Sequence, residues 1–190
     1  MSEIWLITGG GRSGKSSYAE KLAAEKAAAD RSGVLYIATG TAIDDEMAER
    51  IKLHRARRPK DWITLERYRG FSGVGREFGK AGFRTILLDC VTGLLMGILY
   101  EEAPDADNCT AEQFERVERQ SIEELEALFS YARENNKTLI VVTNEIGMGI
   151  IPDTRYSRLY RDALGRINMH AAKAADKVVL MVAGLPVVLK

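Results

Sequence analysis

Cysteine is nearly absent from this sequence, and so are an excess of either charge and any long apolar run. The two cysteines, Cys90 and Cys109, make neither a metal cluster nor a disulfide framework, which favours a reducing compartment. Cys90 lies in an apolar run and reads as a small core residue. Cys109 follows an acidic stretch and is expected at the surface. Lys and Arg number 27, and so do Asp and Glu, so no global field recommends nucleic acid or an anionic membrane as a partner. Any case for phosphate has to come from local basic clusters. No apolar stretch reaches the ~20 residues that cross a bilayer, and the segment from Met1 to Gly10 carries Glu3 but neither a basic leader nor a cleavage site. The expected location is cytoplasmic, with no membrane span. Repeats, low-complexity tracts and interdomain linkers are missing too. A chain of 190 residues has room for one domain, residues 1–190.

What is present is an alternation of two patterns. Near-continuous apolar runs rich in Val, Ile and Leu occupy residues 4–8, 34–39, 62–66, 85–90, 138–143 and 177–182, as in strands covered on both faces. A short run at 186–189 suits an edge strand, because Pro186 has no ladder donor. Helical patterns fall between the runs at 13–29, 44–57, 91–101, 111–135 and 155–175. The second of these has Thr41 as candidate N-cap and Asp44 three residues on. The glycine-rich stretch 67–82 reads as a loose helix or a loop, and 101–108 as an acidic loop. Strands alternating with helices imply βαβ units, hence an α/β fold with a mostly parallel sheet and helices on both faces.

Between the first strand and the first helix stands Gly9-Gly10-Gly11-Arg12-Ser13-Gly14-Lys15-Ser16, a complete G-x-x-x-x-G-K-S phosphate loop in the context that motif requires. Glycines let backbone N–H groups converge on phosphate oxygens without a Cβ in the way, and the helix N-terminus adds partial positive charge. Lys15 suits the β and γ phosphates of a nucleoside triphosphate, and the Ser16 hydroxyl suits Mg²⁺. The motif does not choose among kinase, ATPase and GTPase. Asp89 ends the run 85–88, where P-loop proteins place a carboxylate on the metal side; its competing role is N-cap of the helix that starts at Val91.

His54 is one of two histidines and is followed by Arg55, Ala56, Arg57 and Arg58 before Pro59. Met47, Ile51 and His54 share one face of a helix, which fits a histidine at the edge of the core. A neutral imidazole beside arginines also fits a nucleophile that attacks phosphorus, with guanidinium groups binding the phosphate oxygens. Periodicity leaves both open. His170, beside Ala171 and Ala172, reads as packing.

Beyond the phosphate loop, Ala38-Thr39, Asp44-Asp45-Glu46-Met47, Arg50-Ile51 leading to His54, Arg58-Pro59, Trp62 and Glu66 follow one family in order and spacing. So do residues 142–152, Val-Thr-Asn-Glu-Ile-Gly-Met-Gly-Ile-Ile-Pro, and the tail with Arg161-Asp162, Gly165-Arg166-Ile167-Asn168 and Ala175-Asp176. Over nearly its whole length the chain resembles the bifunctional adenosylcobinamide kinase and adenosylcobinamide-phosphate guanylyltransferase family of cobalamin biosynthesis. That resemblance implies a three-layer, RecA-like P-loop fold, a homotrimer, and two reactions. Adenosylcobinamide is phosphorylated with ATP or GTP, and GMP is then moved from GTP onto the new phosphate through a histidine matching His54. It further implies nucleotide contacts at Gly9 through Ser16, at Ala38, Thr39 and Gly40, at Arg55, Ala56, Arg57 and Arg58, and at Glu66 and Asp89. Asp89 stands where one relative has Glu and keeps the carboxylate; Leu53 stands where the same relative has a second histidine. Asn144 and Glu145 follow the run 138–143 at the edge where α/β sheets bind ligands. Glu145 is expected either to orient the acceptor hydroxyl or a Mg²⁺-bound water, or to cap the turn at Gly147 and Gly149. Two other readings are an ordinary small-molecule kinase with a structural His54 and a regulatory nucleotide-binding module.

Overall fold

The computed structural model describes residues 1–40, 49, 52, 55, 58–105 and 108–190. Among them a seven-stranded sheet runs in the order β3-β2-β4-β5-β1-β6-β7. Its strands are β1 (Glu3–Gly9), β2 (Gly33–Ala38), β3 (Ile63–Glu66), β4 (Phe83–Asp89), β5 (Thr138–Val142), β6 (Lys177–Val182) and β7 (Leu185–Val188). All neighbours pair in parallel except β7, which is antiparallel to β6 at the edge. The Pro186 reading therefore holds. The helices with both ends among the described residues are α1 (Lys15–Asp30), α2 (Val74–Phe78), α3 (Val91–Glu102), α4 (Ala111–Glu134) and α5 (Arg155–Ala174). The expected helix 44–57 and its cap Thr41 lie for the most part outside the described residues.

The apolar runs are continuous because the sheet is buried on both sides. Successive side chains of a strand point to opposite faces. Leu6, Leu35, Ile37, Ile86, Leu88 and Val141 join Leu94, Leu95 and Ile98 of α3, Phe114, Leu125 and Leu128 of α4, and Leu164 and Ile167 of α5. Their neighbours Ile7, Val34, Tyr36, Leu87, Ile140 and Val142 face Ala19, Leu22, Ala23 and Ala27 of α1. Alanines let α1 lie close to the sheet.

Local chemistry explains the helix boundaries. Thr110 and Gln113 form a reciprocal capping box at the start of α4, and Thr154 accepts from Ser157 N–H at the start of α5. The glycine-rich stretch becomes a 3₁₀ turn (Phe71–Gly73) running into α2, pinned by buried Phe71 and Val74. Both oxygens of Glu124 accept backbone N–H groups there, from Gly70 at 2.9 Å and Phe71 at 2.8 Å. One expectation is corrected. Cys109 is buried, not exposed, because it packs in the same cluster as Phe114, and its carbonyl accepts from Arg155 Nη1 at 2.7 Å. His170 does not only pack: its Nε2 lies 2.5 Å from Glu126 Oε1.

Candidate active site

The parallel register brings distant residues into one row at the carboxyl edge. Glu66 is level with Ala38, Ala38 with Asp89, Asp89 with Val142, and Val142 with Ile7. The phosphate loop leaves β1 just beyond this row, which is the crevice where open α/β sheets take ligands.

Helix α1 begins at Lys15, two residues later than its sequence pattern suggests, because Gly14 is left-handed with φ 95° and serves as N-cap. Gly9 cannot be replaced: at φ 146° a Cβ would stand 2.5 Å from the Met181 carbonyl oxygen. Arg12, although not glycine, also takes a positive φ of 57°, so the loop stores backbone strain where the ligand chemistry is expected. The loop is braced from outside the motif. Ala183 and Gly184 form the two-residue β6–β7 turn with positive φ at both positions, as a type I′ turn demands, and Gly184 N–H donates to the Ser13 carbonyl at 3.0 Å. No motif in the sequence singled out this hairpin tip.

Lys15 is buried, and its ammonium donates to the Gly10 carbonyl at 2.6 Å. Burial holds its pKa below the ordinary value, with Cys90 and Asp89 opposing that shift. Ser13 Oγ is buried in the loop with no hydrogen-bond partner among the described residues, a donor suited to a phosphate oxygen. Cys90 is no nucleophile: burial and then Asp89 push its thiol up to about 11.

Asp89 does not cap α3; Cys90 holds the N-cap position and makes no side-chain cap bond. The Asp89 carboxylate instead accepts the Tyr36 hydroxyl, at 2.7 Å on Oδ2. Burial above all, then Asp89, raises the Tyr36 pKa far above its usual value, so the phenol stays a donor. The guanidinium of Arg58 lies 4.0 Å from the Tyr36 ring centroid, and the Trp62 ring is 6.2 Å away. Arg58 is largely buried. Its Nη1 is 3.9 Å from Glu66 Oε1, an ion-pair distance too long for a hydrogen bond, and its Nε and Nη1 have no hydrogen-bond partner among the described residues. Arg55 approaches the same Glu66 oxygen at 3.7 Å. Thr39 is buried between strands, with Oγ1 donating to the Cys90 carbonyl at 2.6 Å and accepting Cys90 N–H at 2.8 Å. Gly93 permits this: a Cβ there would meet Thr39 Oγ1 at 2.5 Å. Gly40 is exposed beside them. His54, Ala56 and Arg57 lie outside the described residues.

Asn144 and Glu145 reach the same edge. Glu145 N–H donates to the Gly9 carbonyl at 2.9 Å, while its carboxylate accepts N–H groups of Gly147 and Met148. That is the turn-capping role. Asn144 Nδ2 donates to Thr92 Oγ1 at 3.0 Å, and its carbonyl accepts from Asn168 Nδ2 at 2.9 Å. Asn168 Oδ1 in turn takes the Thr143 hydroxyl at 2.6 Å. Tyr36, Thr92 and Asn168 carried no site signal of their own in the sequence, because each acts through a partner far along the chain.

Among the described residues no group of three or more His, Cys, Asp or Glu is placed to hold a metal. Ser16 at the start of α1 and Asp89 at the end of β4 are instead the sparse oxygen donors that suit Mg²⁺, which keeps its other positions for phosphate and water. The residues fit that ion.

A phosphate loop opening a helix, beneath a mostly parallel sheet with helices on both faces, defines a RecA-like P-loop α/β protein. The same fold is seen in a KaiC-like protein from Pyrococcus horikoshii OT3, with TM-score 0.53 and 14% identity over 94% of this chain and 70% of that one. Residues 5–189 match the family described as cobinamide kinase / cobinamide phosphate guanyltransferase, and the chain belongs to it. It is 39% identical to the bifunctional adenosylcobalamin biosynthesis protein CobU of Escherichia coli K12, over 97% of this chain and 98% of that protein. It is 40% identical to CobP of Pseudomonas aeruginosa, over 97% and 96%. The family is one of kinases that are also nucleotidyltransferases. No helix among the described residues is long and apolar enough to cross a membrane.

Proposed function

We propose that this enzyme works on adenosylcobinamide in two steps at the carboxyl edge. The observation that carries the reading is the convergence of Lys15, Asp89 and the Tyr36-stacked Arg58 beside the phosphate loop. In the first step the aminopropanol hydroxyl attacks the γ phosphorus of ATP or GTP, the bond to the bridging oxygen breaks, the nucleoside diphosphate leaves, and the hydroxyl proton passes to water. The phosphate-loop N–H groups and Lys15 hold the phosphates in line and offset the charge that develops. Ser16 and Asp89 would hold Mg²⁺, which supplies further charge neutralisation on those oxygens.

In the second step a neutral His54 nitrogen attacks the α phosphorus of GTP. A P–N bond forms, the bond to pyrophosphate breaks, and Arg55, Arg57 and Arg58 compensate the leaving charge. The phosphate of adenosylcobinamide phosphate then attacks the same phosphorus, the P–N bond breaks, and adenosylcobinamide-GDP is formed. Ala38, Thr39, Gly40, Ala56 and Glu66 complete the nucleotide site. Since the γ phosphorus reacts in one step and the α phosphorus in the other, the nucleotide or the His54 segment takes two positions.

The exposed apolar side chains of β7, Leu185 and Val188 among them, support a subunit contact. The reading also includes, from the family resemblance, a homotrimer with one 1–190 domain per subunit, to be checked by sedimentation velocity, and a cytoplasmic location.

The test is mass spectrometry after incubation with GTP and Mg²⁺. We expect one added GMP on the peptide that contains His54, absent in His54→Asn, with phosphorylation of the acceptor retained. Full formation of the GDP-linked product by His54→Asn would refute the covalent route and leave a kinase with a structural histidine.

A further inference from the structure

We infer that Tyr36 is a positioning residue that sets the Asp89 carboxylate for the nucleotide's metal and ties it to the arginine side of the site. The inference rests on the nucleotide site proposed above.

Tyr36 sits in the middle of β2, and its side chain faces the α1 side of the sheet. A buried phenol needs a partner for its hydroxyl, and here the partner is a carboxylate one strand away, 2.7 Å from the hydroxyl. Because Ala38 is level with Asp89, Tyr36 lies two residues back along β2 and reaches Asp89 on the diagonal of the parallel pair. The bond occupies Asp89 Oδ2. One oxygen is thereby fixed, and the carboxylate is held in one orientation. A carboxylate that is itself hydrogen-bonded is the usual support for a metal ligand.

The other face of the phenol has a second task. Arg58 stacks on the ring at 4.0 Å, and two of its nitrogens are buried without hydrogen-bond partners among the described residues. A guanidinium in that state is stabilised by the ring quadrupole and keeps donor capacity for an anion. Tyr36 thus joins a carboxylate on the metal side to a cation on the phosphate side, with one hydroxyl and one ring face.

Tyr36→Phe separates the two tasks, since it keeps the ring and deletes the hydroxyl. The experiment titrates a fluorescent GTP analogue into the wild-type protein and into Tyr36→Phe, in EDTA and across a Mg²⁺ series, with thermal melts alongside. The expected result is unchanged affinity in EDTA and an apparent Mg²⁺ constant raised about 10-fold. In an Asp89→Asn background the Tyr36→Phe substitution should add nothing, because the hydroxyl acts through Asp89. An unchanged Mg²⁺ constant, or equal weakening in EDTA and in Mg²⁺, overturns the inference. If the wild-type protein binds the analogue without any Mg²⁺ enhancement, the metal-side role of Asp89 itself fails, and this inference fails with it. Should Tyr36→Phe not fold, 3-fluorotyrosine at position 36 changes the hydrogen-bond strength and keeps the ring. A Mg²⁺ constant that does not move on fluorination overturns the inference equally.

Discussion

The backbone N–H of Gly184 donates to the carbonyl of Ser13 at 3.0 Å, so the tip of the β6–β7 hairpin holds the phosphate loop from a point 171 residues further along the chain. The loop's conformation is a joint product of its own glycines and of a turn at the far end of the sequence.

Gly184→Val should damage nucleotide binding without touching the motif. Gly184 has φ 84°, where a β-branched residue costs about 1–2 kcal/mol, and relaxing that strain displaces the turn that supports Ser13. A lowered melting temperature together with weakened binding of a GTP analogue is expected; a stability loss with unchanged affinity would show that the hairpin does not govern the loop.

Lys15→Met is expected to leave the fold intact while slowing acceptor phosphorylation by about 10²–10³-fold, the usual loss when one preorganised donor is removed from developing charge. Burial already disfavours the Lys15 ammonium, so the melting temperature of the free protein should stay level or rise. A large fall in stability would instead make the lysine structural.

Glu145→Gln should keep acceptor turnover within about threefold of wild type, because the amide oxygen can still accept the Gly147 and Met148 N–H groups. Glu145→Ala removes the acceptor and should cost about 1 kcal/mol through the opened turn. A turnover collapse in Glu145→Gln, measured with adenosylcobinamide and ATP, would restore the role in orienting the acceptor.

Asp176 gives a pH prediction. The Arg133 guanidinium first, and then the Ile4 N–H, hold its carboxyl below the ordinary value of 3.8, through contacts of 2.8 Å to each. The folded state therefore binds this proton less readily than the unfolded chain. The resulting stabilisation is complete above about pH 5, begins to fall as the unfolded chain's carboxyl titrates, and is lost as the pH falls through the lowered folded value. Asp176→Asn should be less stable at neutral pH and lose less on acidification, as followed by denaturant midpoints at stepped pH.

Much of this architecture was legible from local pattern. The run 177–182 and β6 coincide, and the run at 186–189 became an edge strand one residue earlier. Helix ends also followed local chemistry, as with Thr110 and Thr154. Cys109 was misread because an acidic approach says nothing about where the next residue lands once α4 and α5 close over it. Asp89 was found as a strand-end carboxylate, but its bond to Tyr36 was not, since one apolar run looks alike at every interior position.

The phosphate loop, the α/β alternation and the family were determined by the sequence alone, because each is written in contiguous residues with a fixed period or spacing. Only the tertiary structure decided that Glu66, Ala38 and Asp89 stand level across three strands, that Tyr36 reaches Asp89, and that Gly184 supports Ser13. The reason is physical. Strand order and register come from burying two apolar faces at once, and that global condition brings together residues whose separation along the chain carries no trace of it.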